Sequence, residues 1–180
     1  MTARVPVAPL HDPAAAPAPR WRLADIDFTR IVHALVRGRD DLFLLACSAS
    51  FLESTAGTFA SNLKDYFFDD DEVRQWLAAA WEPEELQHGR ALRIYVKHAW
   101  ADFDWDRAYA DFISEYSQLC TSDKLEATRG QEMAARCVVE MGTTTYYQAV
   151  HALCDEPVLR DLVWRIRSDE VDPVPLQQLV

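Results

Sequence analysis

Trp81-Glu82-Pro83-Glu84-Glu85-Leu86-Gln87-His88-Gly89 is the stretch from which the fold is read. Glu85 and His88 lie three residues apart, so on a helix they occupy one face about one turn apart and reach a common point. Carboxylate oxygen and imidazole nitrogen are donors that iron and manganese accept. A lone Glu-x-x-His is weak evidence, because most such pairs are simply solvated. Its meaning comes from what surrounds it.

Working outward, Glu53 precedes Glu85 by 32 residues and Glu140 precedes Glu170 by 30. Each interval holds one helix, a turn and part of a returning helix. Two such hairpins place carboxylates at matching heights. A four-helix bundle holds two metal ions with one Glu from each of two helices and a Glu-x-x-His from each of the other two. Here Glu53, Glu85, His88, Glu140 and Glu170 are present, while Pro173 stands where the second His belongs. Glu53 lies among Ala49, Phe51, Leu52 and Ala56, and Glu140 among Val138, Val139 and Met141. Burying a carboxylate there costs several kcal/mol unless a charge or metal offsets it. The alternative puts each Glu on a solvated face.

The rest of the chain fits this frame. At 180 residues and 49% hydrophobic, with five Gly, the composition predicts one all-α domain with a substantial core. A net charge of −11 argues against nucleic acid or an anionic membrane as partner, since both are polyanions. No apolar run is read as a bilayer span of about twenty residues. Cys47, Cys120, Cys137 and Cys154 show no C-x-x-C pairing and read as small hydrophobes of a cytoplasmic protein. Residues 1–20 read as a flexible Pro/Ala-rich leader, residues 21–171 as the bundle domain and residues 172–180 as an irregular tail.

Within the domain, Trp21–Arg37 suits a short amphipathic lead-in helix ended by Gly38, with Asp40 or Asp41 capping the next. The first long helix is expected over Leu42–Phe67, with Leu45, Ala49, Leu52, Ala56 and Phe59 on one stripe. After a break and cap at Asp69–Asp71, a second runs from Glu72 to Trp100, kinked by Pro83 just ahead of Glu85. A shorter aromatic helix covers Asp104–Gln118. A third long helix is expected from Ser122 to Cys154, and Glu156-Pro157 opens a fourth. The fourth is followed only to Val171, because residue 172 precedes Pro. It is half-length beside the third. The expectation is that the last nine residues replace a longer helix that carried the missing His.

The stretch Trp81–Gly89 resembles the W-x-x-E-E-x-x-H-G signature of soluble acyl-carrier-protein desaturases, within the ferritin-like di-iron superfamily. Ser168-Asp169-Glu170 is similar to the opening of that family's second motif, and Glu140-Met141-Gly142-Thr143 to its third-helix E-x-x-T. The resemblance covers about Leu42–Val171 and implies a ferritin-like four-helix bundle with short additional helices and a truncated fourth helix. It implies metal ligation by Glu53, Glu85, His88, Glu140 and Glu170, with two iron ions or a manganese–iron pair as cofactors. Asp169 and Glu84 stand behind the ligands, Asp169 accepting the ring N–H of His88, and Thr143 offers a pocket hydroxyl. Trp81 belongs either to an electron path or to packing. The implied activity is O2-dependent oxidation of a small organic or acyl substrate, with an electron donor and a homodimer as partners. A carrier-protein dock would fall on Arg90, Arg93 and Lys97, which also read as an ordinary solvated face. The chain departs from the family in its short length and at Pro173, and His98 and His151 lie too far along their helices to replace the missing ligand. Asp172 would fit only on an unwound helix end. The competing reading is a bundle with an impaired or single-metal site serving as a binding or assembly module.

Overall fold

The computed structural model describes residues 19–171. Residues 1–18 and 172–180, with Asp172, Pro173 and most of the expected leader and tail, lie outside the described residues. Among the described residues every regular element is helical: α1 (Asp40–Ser54), α2 (Ala56–Tyr66), α3 (Asp71–Trp76), α4 (Glu82–Ala99), α5 (Trp105–Leu119), α6 (Arg129–Leu153) and α7 (Pro157–Glu170). The main packed pairs are α1 against α4 and α6 against α7, joined where α4 meets α7.

The lead-in segment is not the expected helix. It is three separate 3-10 turns, Leu23–Asp25, Phe28–Arg30 and His33–Leu35. The buried residues explain this, since Trp21, Ile26, Ile31 and Val36 recur every fifth position. That spacing suits short turns laid over a core, whereas an α-helix buries positions three and four apart. The segment is pinned at its far end, where the Val32 N–H donates to Glu156 Oε1 at 3.1 Å.

The long helices differ from expectation in their joints. Asp40 and Asp41 lie inside the first turn of α1 rather than capping it, and Arg39 is the cap residue. The expected first helix is broken at Thr55, whose hydroxyl and N–H both donate to the Leu52 carbonyl. The buried stripe is Leu42, Ala46, Ala49, Glu53, Ala56, Ala60 and Leu63, and Leu52 is 54% exposed. By length and composition Asp40–Tyr66 is apolar enough to cross a membrane, contrary to the sequence reading. It packs on α4 and turns Glu53 inward, as a core helix does.

Asp70 caps α3 through Val73 N. Between α3 and α4 lies a π-turn, Leu77–Trp81, closed by the Glu82 N–H on the Leu77 carbonyl five residues back. Pro83 follows in the first turn of α4. Lacking an N–H, it cannot bond the carbonyl four residues earlier, and the slipped register absorbs that loss. Helix α6 begins at Arg129, capped by Thr128, later than the Ser122 expected. The intervening chain forms a 3-10 turn at Ser122–Lys124. Helix α7 opens at Glu156-Pro157 as expected, with Glu156 capping it by accepting from Leu159 N at 2.8 Å, and α7 spans 14 residues against 25 for α6.

Two apolar clusters fill the interior. The larger is built from α1, α4, α7, part of α6 and the lead-in turns, and includes Leu42, Leu92, Tyr95, Leu162 and Ile166. The smaller lies around Leu63, Phe67, Val73, Leu77 and Met133.

Candidate metal centre

Glu53, from the last turn of α1, and Glu85 with His88, one turn apart on α4, converge with Glu170, the last residue of α7. One ligand atom from each of the four lies within 4.8 Å of every other. Two ligands on opposite sides of one ion, at bond lengths of 2.0–2.2 Å, stand about 4–4.4 Å apart. The cluster therefore has the size of a coordination shell.

A glycine permits this approach. A Cβ on Gly89 would lie 2.8 Å from Ser54 N and 2.9 Å from the Glu53 carbonyl carbon, closer than real side chains come. Only the bare backbone lets α4 run against the end of α1 and bring Glu53 beside Glu85 and His88.

His88 is fully buried. Its Nε2 lies 3.0 Å from Asp169 Oδ2, which fixes the ring. Its Nδ1 faces the cluster, 3.4 Å from Glu170 Oε1 and 3.8 Å from Glu85 Oε2. Neither His88 Nδ1 nor Glu170 Oε1 has a hydrogen-bond partner. Buried polar atoms are rarely left so. With Nε2–H donating to Asp169, Nδ1 presents a lone pair to the point where the carboxylate oxygens meet, the arrangement of a metal-ligating His with a carboxylate behind it.

Trp21 completes this backing. Its indole N–H donates to the same Asp169 Oδ2 at 2.7 Å, and its ring stacks on His88 with centroids 6.0 Å apart and planes 6° from parallel. Gln87 Nε2 donates to the Trp21 carbonyl at 3.1 Å. Arg20 donates to the Ser168 carbonyl and approaches Asp169. Sequence reasoning missed Trp21 because it is far from both motifs. Trp81, the tryptophan weighed for an electron path, lies in the smaller apolar cluster with its ring 6.1 Å from Phe59.

The buried charges crowd one another. Burial, then the charges of Glu85 and Glu170, push Glu53 well above the usual carboxylate range, although Tyr147 donates a hydrogen bond to it. Burial works against a charged His88, but the hydrogen bond to Asp169 and the nearby carboxylates of Glu170 and Glu85 outweigh it and raise the imidazole. Burial and then Asp169 push Glu84 up to about 7. The raised carboxyls favour protons in the metal-free cluster, and a cation bound there would displace them.

Glu140 stands beside the group rather than in it. It shares a hydrogen bond with Glu170, and burial together with that neighbour pushes it up to about 10. Burial would raise Glu170 too, but the nearby His88 and hydrogen bonds from Glu140 and Thr143 lower it. The Thr143 hydroxyl is 3.1 Å from Glu170 Oε2 and 3.0 Å from the Glu140 carbonyl of its own helix. The apolar neighbours used in the sequence to argue for burial of Glu140 point outward, with Val138 63% and Met141 62% exposed. Helix rotation, not local composition, turns Glu140 inward. Of the basic stripe, Arg93 and Lys97 both bind Asp106, at 2.5 and 2.7 Å, and Arg93 covers the Trp105 ring at 4.6 Å. Two of the three charges expected of a carrier-protein dock are thus neutralised within the chain.

No protein-family model, curated protein or solved structure matches this chain. The chain is all-helical among the described residues, with a buried carboxylate/His group of the size and donor chemistry that holds a metal ion.

Proposed function

We propose that this chain is a metal-dependent oxidoreductase of ferritin-like architecture. Its Glu53/Glu85/His88/Glu170 cluster binds iron or manganese and uses O2 to oxidise an organic substrate. The observation that carries the reading is the convergence of four donors from three helices on one buried point, with His88 Nδ1 and Glu170 Oε1 unpartnered there. Three carboxylates and one imidazole are a hard-to-borderline donor set suited to these metals. Bound there, the metal supplies the redox capacity that protein side chains lack.

The chain's own residues hold the donors in place. Asp169 orients His88, Trp21 orients Asp169, Tyr147 holds Glu53, and Thr143 holds Glu170. Burial of Glu53, Glu85, His88 and Glu170 limits water at the site. A second metal, if bound, takes Glu140 and Glu170 and lacks an imidazole among the described residues, so it is the weaker of the two.

The second reading is a bundle with one metal ion that serves as a binding or assembly module. It is favoured by the position of Glu140 outside the tight group. Elemental analysis after anaerobic loading with ferrous iron, followed by O2 uptake measurements, separates the two. About two irons per chain and uptake of O2 support the oxidoreductase. One tightly held ion with no O2 uptake supports the module, and a folded protein that takes no metal sinks both.

A further inference from the structure

We infer that the face formed by α1 and α6 is the contact surface of a two-fold dimer, its occupant the same face of a second copy of this chain. The two helices lie side by side and antiparallel. The Tyr146 hydroxyl donates to the Leu45 carbonyl at 2.7 Å, and towards the other end Arg136 covers the Phe59 ring of α2 at 4.4 Å. Two stripes border this seam on its solvent side. Leu44, Ser48 and Leu52 recur every fourth residue on α1, and Val138, Gly142, Ala149 and Leu153 share one side of α6. All seven are exposed. Between Asp41 and Lys64 the only charged residue is Glu53, and between Arg136 and Asp155 the only one is Glu140. Glu53 turns into the metal cluster and Glu140 is bonded to Glu170. In a chain that is 26% charged, this face therefore presents no charge to solvent.

Charge, shape and extent all point to a second copy. With a net charge of −11, the chain repels an anionic bilayer and would draw a basic partner to its acidic surfaces rather than to this one. Two copies repel each other least where both are uncharged, and interface cores are depleted of charge. Each stripe also mixes large and small residues, with Ser48 between Leu44 and Leu52, and Gly142 and Ala149 between Val138 and Leu153. A face with both ridges and gaps fits its own image across a two-fold axis. Gly142 is the sharpest sign. Glycine inside a helix weakens it, yet a Cβ there would meet nothing within 4 Å, so no described residue uses the bare backbone. The uncharged part of α6 is about 25 Å long, and two helix widths of about 10 Å make a patch of roughly 500 Å² per chain. That is enough for the apolar core of an interface burying about 800 Å² on each partner.

The inference stands apart from the metal reading and is tested on the full chain in chelator, then again after loading with Mn2+. Sedimentation velocity from micromolar to hundreds of micromolar protein should show a monomer passing into a dimer. Added salt should tighten the dimer by screening the repulsion between two chains of −11. Gly142→Leu should keep the helical circular dichroism, because its side chain enters open space, and yet weaken association about tenfold or more. Leu44→Lys should do the same, and if one of the two fails to fold the other decides. Phe68→Lys, at an exposed residue past the end of α2, should leave the dimer intact. The inference is overturned if the wild type stays monomeric at every concentration, or if the folded face variants associate like wild type. It is equally overturned if Phe68→Lys dissociates the dimer or salt weakens it. A monomeric wild type that binds phosphatidylcholine vesicles, with Leu44→Lys abolishing the binding, would make the face a membrane seat and overturn it too. Failure of the metal reading looks different: the dimer forms, but Mn2+ does not bind.

Discussion

Glu140→Gln is expected to make the metal-free protein more stable at neutral pH. Burial and Glu170 push the Glu140 carboxyl up to about 10, against roughly 4.3 in an unfolded chain. Between those values the native state keeps a proton that the unfolded chain has released, so stability falls as pH rises through the window. At pH 7.5 that proton amounts to about 1.36 × 3.2, or roughly 4 kcal/mol. The partial exposure of Glu140 brings the figure to about 2–3 kcal/mol through solvent screening. Gln never ionises, and its amide N–H still donates to Glu170, so the variant escapes the penalty. For a chain of this size the gain corresponds to a Tm increase of about 4–12 °C. Thermal and urea unfolding in EDTA at pH 7.5 and pH 5 provide the assay. At pH 5 the difference should shrink to about 1 kcal/mol or less, because the unfolded carboxyl is itself partly protonated. A variant no more stable than wild type at pH 7.5, or equally favoured at both pH values, would refute the reasoning. Mn2+ should reverse the order by stabilising the wild type more.

Other changes test the remaining parts of the site. Gly89→Ala should destabilise by about 1–3 kcal/mol and weaken metal binding, because its Cβ collides with the backbone at Glu53 and Ser54; calorimetric titration with Mn2+ reads the second effect. Trp21→Phe keeps the ring but removes the N–H that holds Asp169, and should lower metal affinity by about 10–100-fold without loss of helical signal. Ferrous iron or Mn2+ at one hundred times its Kd should stabilise the wild type by about 2.7 kcal/mol, reversibly with chelator, and should do nothing for His88→Ala. Glu156→Ala strands three donors, Val32 N, Tyr95 Oη and Leu159 N. A loss of about 3–5 kcal/mol is expected in urea unfolding, with metal binding intact in the folded fraction.

Much of the fold was legible because helices announce themselves locally. Asp70, Asp104 and Glu156 each cap the helix that the sequence suggested, since a cap is a contact between residues two or three apart. The lead-in segment misled because a five-residue spacing of apolar residues looks amphipathic in a short window. The first-helix stripe misled because the break at Thr55 shifts the phase between α1 and α2. Apolar neighbours of Glu53 and Glu140 were a poor guide to burial, as exposed Leu52, Val138 and Met141 show. Adjacent residues on a helix point about 100° apart, so neighbours in sequence rarely share a face.

The sequence by itself determined the helical class and the pairing of Glu85 with His88, because both follow from spacing along one helix. It also marked Glu53, Glu140 and Glu170 as carboxylates at comparable heights. Only the tertiary structure decided which of these meet. Glu53 reaches the group because Gly89 admits close helix contact, Glu170 because α7 lies against α4 and α6, and Glu140 is left one hydrogen bond away. Only the fold brings Trp21 to Asp169 across 148 residues, and only the fold leaves His88 Nδ1 facing the carboxylates without a partner. Spacing fixes angle along a single helix, but convergence depends on how closely separate helices approach and how each is rotated, and those are set by packing.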